Sequence, residues 1–334
     1  MLSVDLVPCF LVLILLLFTR IKKQDSISNV LSMYHTTLIK GLASINVVLC
    51  HLSFFYDGII VLPAFNYIGY ASVGFFFFLS GFGLMKQYLQ KEDYRSTFLK
   101  KRLGRIFIPY IFFNLIYWLY YLMTGTPIGV FEACRMIVSG DPLVLYSWYI
   151  LEILIIYLFF FLFMFFVKRR KMLMIVCNII LYLLLLLFYK QYGYLPFWYD
   201  STHMFFIGII WASYEERLTK FVYKYWYACL AFSILGIILS FGNVKMYYLL
   251  EMSFMLLVLA LFSIFQFKNT ILEFLGRISM EIYLIHGLVI KFVRYYICLD
   301  EGPFDMVIII FLSILSAFIL NTLIKKLNRF ILYR

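Results

Sequence analysis

Apolar residues in this chain come in long, nearly unbroken runs, separated by short polar segments that are mostly basic. The runs show neither strict alternation, which would mark half-buried strands, nor a narrow apolar stripe, which would mark surface helices. Their lengths suit α-helices crossing a hydrocarbon layer about 30 Å thick. Eleven such spans are predicted over 3–19, 37–56, 68–89, 106–123, 143–167, 172–189, 195–214, 226–241, 246–267, 278–297 and 304–324. The first is short and contains Asp5 and Pro8. It lacks a basic leader and a small-residue cleavage site, so it reads as an uncleaved anchor covering 1–24 rather than a signal peptide. The expected fold is all-α, a polytopic transmembrane helix bundle of ten or eleven spans, forming one integral-membrane domain over 1–334.

Composition agrees with the pattern. The 334 residues are 65% hydrophobic and 14% charged, whereas soluble domains carry about 25% charged residues. A net charge of +12 would fit a nucleic-acid binder, but the basic residues sit at span ends. With the N-terminus outside and the spans alternating, 24 of the 29 Lys and Arg residues fall on the inner side. Only Arg135, Lys190, Lys245, Lys291 and Arg294 fall outside. That asymmetry follows the positive-inside rule and predicts N-terminus out, C-terminus in. The six cysteines, Cys9, Cys50, Cys134, Cys177, Cys229 and Cys298, have neither metal-ligand nor disulfide spacing, so packing is their expected role and no metal is expected.

Four stretches carry candidate chemistry. The first is KGLASINVVLCH, Lys40 to His51. Eleven residues of α-helix turn through about 1,100°, roughly 20° from whole turns, so Lys40 and His51 share a face about 16 Å apart along the axis. The topology puts Lys40 at the cytoplasmic surface and His51 in the outer half of the bilayer. A buried imidazole can take a proton from an alcohol near neutral pH, or it can simply bond a neighbouring helix. Asp57 lies nearly opposite on the helix, so an orienting carboxylate must come from another span, with Glu152 and Glu251 as candidates.

The second is the loop KQYLQKEDYRSTFLKKRLGR, with seven basic residues against two acidic ones. Arg102 and Arg105 project on one side if the next helix begins there. Paired guanidiniums fit phosphate oxygens with bidentate geometry, as a coenzyme A thioester would present; the plainer alternative is a topological anchor. The third is GYASVGFFFFLSGFGLM, where Gly74, Ser80, Gly81 and Gly83 allow close helix packing. The fourth is GRISMEIYLIHGLVI, with Glu281 and His286 inside the membrane. His203, preceded by Asp200, is another buried histidine. For all of these a structural hydrogen bond is the plainer alternative.

With these segments in hand, the chain resembles the acyltransferase family 3 membrane proteins. KGLASINVVLCH resembles that family's Arg/Lys–x10–His motif, and VGFFFFLSGFGL its V-x-x-F-F-x-L-S-G-F helix. FLKKRLGRIFIPY resembles the F-x-x-x-R-x-x-R-I-x-P-x-Y segment, and GRISMEIYLIHGLVI the late G-x-x-S-x-x-x-Y-L-x-H helix. The motifs stand in the family's order across 38–290. The resemblance implies transfer of an acyl group, usually acetyl, from cytoplasmic acyl-CoA to sugar hydroxyls across the cell membrane. It implies a catalytic role for His51, as general base on the sugar hydroxyl or as brief carrier of the acyl group, a donor-side role for Lys40, Arg102 and Arg105 with the neighbouring Lys101, and motif positions for Ser80 and His286. Two departures stand out: Gly287 replaces a frequent Pro, and SWYILEI only partly matches W-x-L-x-x-E-E, which bears on Glu152. The expected activity is therefore O-acetylation of a surface polysaccharide or its lipid-linked precursor, with acetyl-CoA as donor, carbohydrate as acceptor and no nucleic-acid partner. The rival class is a lipid-linked-sugar flippase, which would be expected to show inverted repeats; none is visible. A non-catalytic assembly subunit is a third reading.

Overall fold

The computed structural model describes residues 3–24, 30–139, 142–168, 170–243, 246–297 and 302–333. Helices dominate it. In chain order they are α1 (Leu6–Leu17), α2 (Met33–Leu52), α3 (Val61–Gln90), α4 (Tyr94–Phe98), α5 (Gly104–Met123), α6 (Val130–Ser139), α7 (Trp148–Val167) and α8 (Lys171–Gln191). They continue as α9 (His203–Ser213), α10 (Glu215–Lys224), α11 (Trp226–Ser240), α12 (Tyr247–Ile264), α13 (Thr270–Arg277), α14 (Ser279–Tyr296) and α15 (Pro303–Tyr333). Two short strands, β1 (Arg20–Lys23) and β2 (Phe265–Lys268), pair antiparallel.

Among the described residues, six helical segments are long and apolar enough to cross a membrane: α3, the continuous 94–123 segment, α7, α8, α12 and α15. The pair α10–α11, bent by 88°, makes a seventh if counted as one span. The chain is a multi-pass membrane protein. The other predicted spans are helical too. However, α1 and α9 are short, at 12 and 11 residues, while α2 and α14 carry more polar residues.

The chain forms two compact units. The first comprises Met1–Lys91 and Arg169–Arg277. Its centre is α3, which packs against α2 and α9. The α3–α9 seam is a backbone contact. A Cβ on Gly81 would collide with the Phe205 carbonyl, and one on Gly208 with the Phe78 carbonyl. Small residues here let two aromatic-rich helices touch main chain to main chain, which membrane helices use in place of a hydrophobic driving force.

Asp5 accounts for the polar residue in the weakest predicted span. Its carboxylate accepts the amides of Ile59 and Ile60 at 2.8 and 3.0 Å and that of Leu62 at 2.9 Å, so it caps the start of α3. An acidic group suits the positive end of that helix dipole.

The strand pair was not predicted. Hydropathy alone extends the ninth span to Phe267, but FQFK alternates aromatic and polar residues with the period of a strand. Ile21 opposes Phe267 and Lys23 opposes Phe265. Asn269 follows and ties three segments together. Its Nδ2 donates to the Leu15 carbonyl and to Thr19 Oγ1, both at 2.8 Å, and its Oδ1 accepts the Leu272 amide at 2.8 Å.

The second unit comprises Glu92–Lys168 and Ile278–Arg334. Here α14 packs against α15, and Asn321 donates to Glu281 at 2.9 Å. Phe98 is fully buried and stacks on Phe160 and Phe161. Residues 94–123 are not a plain α-helix: Leu99–Leu103 is a π-helical turn, closed by the Gly104 amide bonding the Leu99 carbonyl.

Candidate functional site

In the first unit, α2 runs unbroken from Met33 to Leu52, capped at its start by Ser32, whose side chain accepts the His35 amide at 3.2 Å. Lys40 and His51 therefore lie on one continuous helix. Between them on the same face, Ser44 and Val47 are buried at 0% and 2% exposure, while Lys40 and His51 are half-buried. The His51 ring meets Phe54 edge-on at 5.9 Å. The adjoining face of α2 is clasped to α3. Asn46 donates to Ser72 at 3.2 Å, Cys50 packs against Gly69, and Ser53 donates to Asn66 at 3.0 Å. Ser80, on α3, is half-buried.

A second polar group lies at the same end of this unit. Beyond Gly69, Tyr70 stacks on Tyr247 with ring centroids 3.9 Å apart. One turn further along α12, Glu251 is fully buried against Gly74, where a Cβ would sit 2.9 Å from its carboxyl carbon. Ser201 Oγ donates to Glu251 Oε1 at 2.5 Å. His203 Nε2 lies 3.6 Å from Glu251 Oε2, and neither atom has a hydrogen-bond partner among the described residues. His203 Nδ1 is 2.9 Å from the Asp200 carbonyl. A carbonyl only accepts, so Nδ1 carries the proton in the neutral ring and Nε2 turns its lone pair toward Glu251. Glu251 thus accepts from Ser201 and lies beside the His203 ring.

The other predicted residues lie in the second unit. Arg102 and Arg105 do not sit on the regular α-helical turn expected of them. Helix begins at Tyr94, and Arg102 lies in the π turn while Arg105 lies in the first turn of α5. Pro109, inside α5, has no amide to bond the Arg105 carbonyl four residues back. Arg102 Nε donates to the Tyr94 hydroxyl at 3.1 Å and is half-buried, whereas Lys101 and Arg105 are exposed. Glu152 is fully buried on α7. His286 is fully buried, with Nδ1 2.7 Å from the Tyr283 carbonyl and its ring stacked on Tyr146 at 5.8 Å. Tyr146 holds a left-handed backbone with φ 62°, and its carbonyl accepts the Tyr283 hydroxyl at 2.5 Å. Gly287 has a packing reason. A Cβ there would lie 2.9 Å from Leu145 Cβ and 3.0 Å from the Tyr117 hydroxyl.

The family model described as an acyltransferase domain, of the acyltransferase 3 type, matches residues 36–324, nearly the whole chain. The chain belongs to this acyltransferase family. No curated protein and no solved structure matches it. The matched range contains all four motif segments, so Lys40, His51, Ser80, Lys101, Arg102, Arg105, Glu152, His203 and His286 all lie within the acyltransferase domain.

The acyltransferase also has an apolar crevice of about 300 Å³ in its first unit. Leu15, Leu42, Ala43, Phe75 and Phe262 are among its walls, and Asn46 and Ser72 line it as a bonded polar pair. Sequence reasoning did not single out Ser201 or Tyr248, although both join the His203–Glu251 group. The available signal was spacing: Tyr248 stands one helical turn before Glu251, and Ser201 stands two residues before His203.

Proposed function

We propose that this membrane acyltransferase moves an acetyl or other short acyl group from cytoplasmic acyl-CoA to a hydroxyl of a cell-surface polysaccharide or its lipid-linked precursor. The reading takes the cell membrane as its location and the N-terminus-out topology of the charge pattern. In the reaction, His51 Nε2 or Nδ1 accepts the proton of the sugar hydroxyl as its oxygen attacks the thioester carbonyl. The tetrahedral intermediate collapses, the carbon–sulfur bond breaks, and the imidazolium returns the proton to the departing thiolate. The products are an O-acyl sugar and free coenzyme A, with no net proton released. By the family resemblance, Arg102, Arg105 and Lys101 are donor-side residues that bind the donor's phosphates, and Lys40 is a donor-side residue on the His51 helix.

One observation carries the reading. Within a chain of this family, a single unbroken helix holds Lys40 and His51 on one face, with Ser44 and Val47 buried between them on that face. The family itself favours chemistry over a flippase.

The test is direct. Purified protein is given acetyl-CoA and unmodified polysaccharide, and the glycan is weighed by mass spectrometry. The wild type adds one acyl mass per transfer and releases coenzyme A, whereas His51→Ala, inserted at normal abundance, adds none. Transfer by His51→Ala at the wild-type rate overturns the role of His51, and a wild type that consumes no acyl-CoA overturns the reaction.

A further inference from the structure

The apolar crevice of the first unit ends at a ribbon of unneutralised positive charge. Polar bonds hold α1 at both ends. Asp5 bonds the start of α3, and Asn269 bonds the Leu15 carbonyl and Thr19. Between these tethers lies the crevice of about 300 Å³. Its walls run along α2 from Leu38 to Asn46 and along α12 from Phe254 to Phe262. Each run rises about 12 Å at about 1.5 Å per residue. The volume over that length leaves a section of roughly 25 Å². One extended hydrocarbon chain fits such a slot, whereas a partner helix about 10–12 Å across does not.

The slot is open along α1, because Leu16 and Ile21 line it and are 63% and 58% exposed. Left unfilled, its walls forfeit packing contacts. Water gains little there, since the lining side chains of Thr19, Asn46, Ser72 and Asn269 already hold hydrogen bonds within the protein.

The ribbon narrows the chemistry of the occupant. Ile21 of β1 and Phe267 of β2 both line the crevice and oppose each other. Strand side chains alternate in face, so Lys23 shares the face of Ile21, while Arg20, Lys22 and Lys268 share the other. All four cations are exposed, and none has an ion-pair partner among the described residues. Arg20 stands directly opposite Lys268, a like-charge pairing that disfavours the ribbon and that a bound anion relieves. Long basic side chains carry their charges around a ribbon edge while their stems stay on apolar surface. A hydrocarbon slot with a basic mouth suits a molecule that joins an alkyl chain to a phosphate.

We propose that this crevice binds an anionic phospholipid. One acyl chain lies between α1, α2 and α12, and Arg20, Lys23 and Lys268 hold the phosphate at the ribbon. The lipid fills the gap behind α1 and offsets the repulsion between the strands. This inference is independent of the acyl-transfer reading, and its test needs no turnover.

Full-length protein is reconstituted in phosphatidylcholine bilayers with a trace of phosphatidylglycerol carrying a photoreactive group in its acyl chain. After illumination, labelled peptides are mapped by mass spectrometry. The same probe with a choline headgroup is the control. The expected result is labelling of the crevice walls on α1, α2 and α12 that exceeds the control by about fivefold or more, since each basic residue near a membrane surface adds about that factor for an anionic lipid. Arg20→Gln with Lys23→Gln and Lys268→Gln should remove the excess. Val258→Phe, which narrows the crevice from α12 and leaves the ribbon intact, should lower labelling by both probes, and it reports even if the triple variant is poorly folded. Equal labelling by the two probes overturns the proposal, as does an excess that survives the triple substitution or labelling that Val258→Phe leaves unchanged. Labelling absent from the crevice walls, as when a second copy or another protein covers them, overturns it too.

Discussion

Asp5 Oδ1 accepts the backbone amide of Leu62 at 2.9 Å, across 57 residues of sequence. A residue that looks misplaced in an apolar run thus serves as the missing cap of the central helix of the first unit. Asp5→Ala should remove this cap and lower stability by about 1–2 kcal/mol, the range for loss of a charge-assisted helix cap. The check is the thermal midpoint of detergent-purified protein, which should fall. Asp5→Asn should retain part of the effect, because an amide oxygen still accepts.

Gly81 and Gly83 look alike in sequence but should respond oppositely to substitution. A Cβ at Gly81 meets the Phe205 backbone, while one at Gly83 meets nothing within 4 Å. Gly81→Ala should cost about 3 kcal/mol, the upper end for overpacking a tight interface. Gly83→Ala should be neutral or stabilising by up to about 1 kcal/mol, because alanine favours the helix. Comparing folded yields and thermal midpoints of the two variants checks both.

Asn269 holds the end of α1, the strand pair and α13 through three hydrogen bonds. Asn269→Ala removes these three bonds, leaving Thr19 and the Leu15 carbonyl only the one between them, and should cost about 1–2 kcal/mol. Limited proteolysis should then show faster cleavage near residues 19–24, while the second unit keeps its wild-type pattern.

The donor-binding role of the arginines predicts a graded series. Arg102→Ala with Arg105→Ala should raise the acetyl-CoA Kd by roughly 10- to 100-fold, as expected for losing charge-assisted bonds worth about 1.5–3 kcal/mol. Tyr94→Phe removes only the hydroxyl that steadies Arg102 and should have a smaller effect in the same direction. Calorimetric titration at fixed ionic strength compares both variants with the wild type. An unchanged Kd in the double variant would leave the pair as a topological anchor.

The long apolar runs were legible because membrane depth forces each to be a helix. Lys40 and His51 were legible because an ionisable residue stands out in such a run. The short elements were not. The strand β2 is four residues at the end of a hydrophobic stretch, so averaging over a span absorbs it into the helix. The π turn at Leu99–Leu103 was missed for a related reason: its sequence, LKKRL, suits an α-helix equally well, and only packing selects the wider turn. Ser201 and Tyr248 were hidden by their commonness, since the chain has 28 tyrosines. What distinguishes these two is which carboxylate or imidazole they meet, and that is a tertiary fact.

The reciprocal glycine contact between α3 and α9 has a mechanical consequence. With no side-chain layer to cushion the joint, the two helices have almost no freedom to slide and behave as a single stiff beam. The facing amides of these two helices should therefore exchange with solvent deuterium later than those of the bent α10–α11 pair.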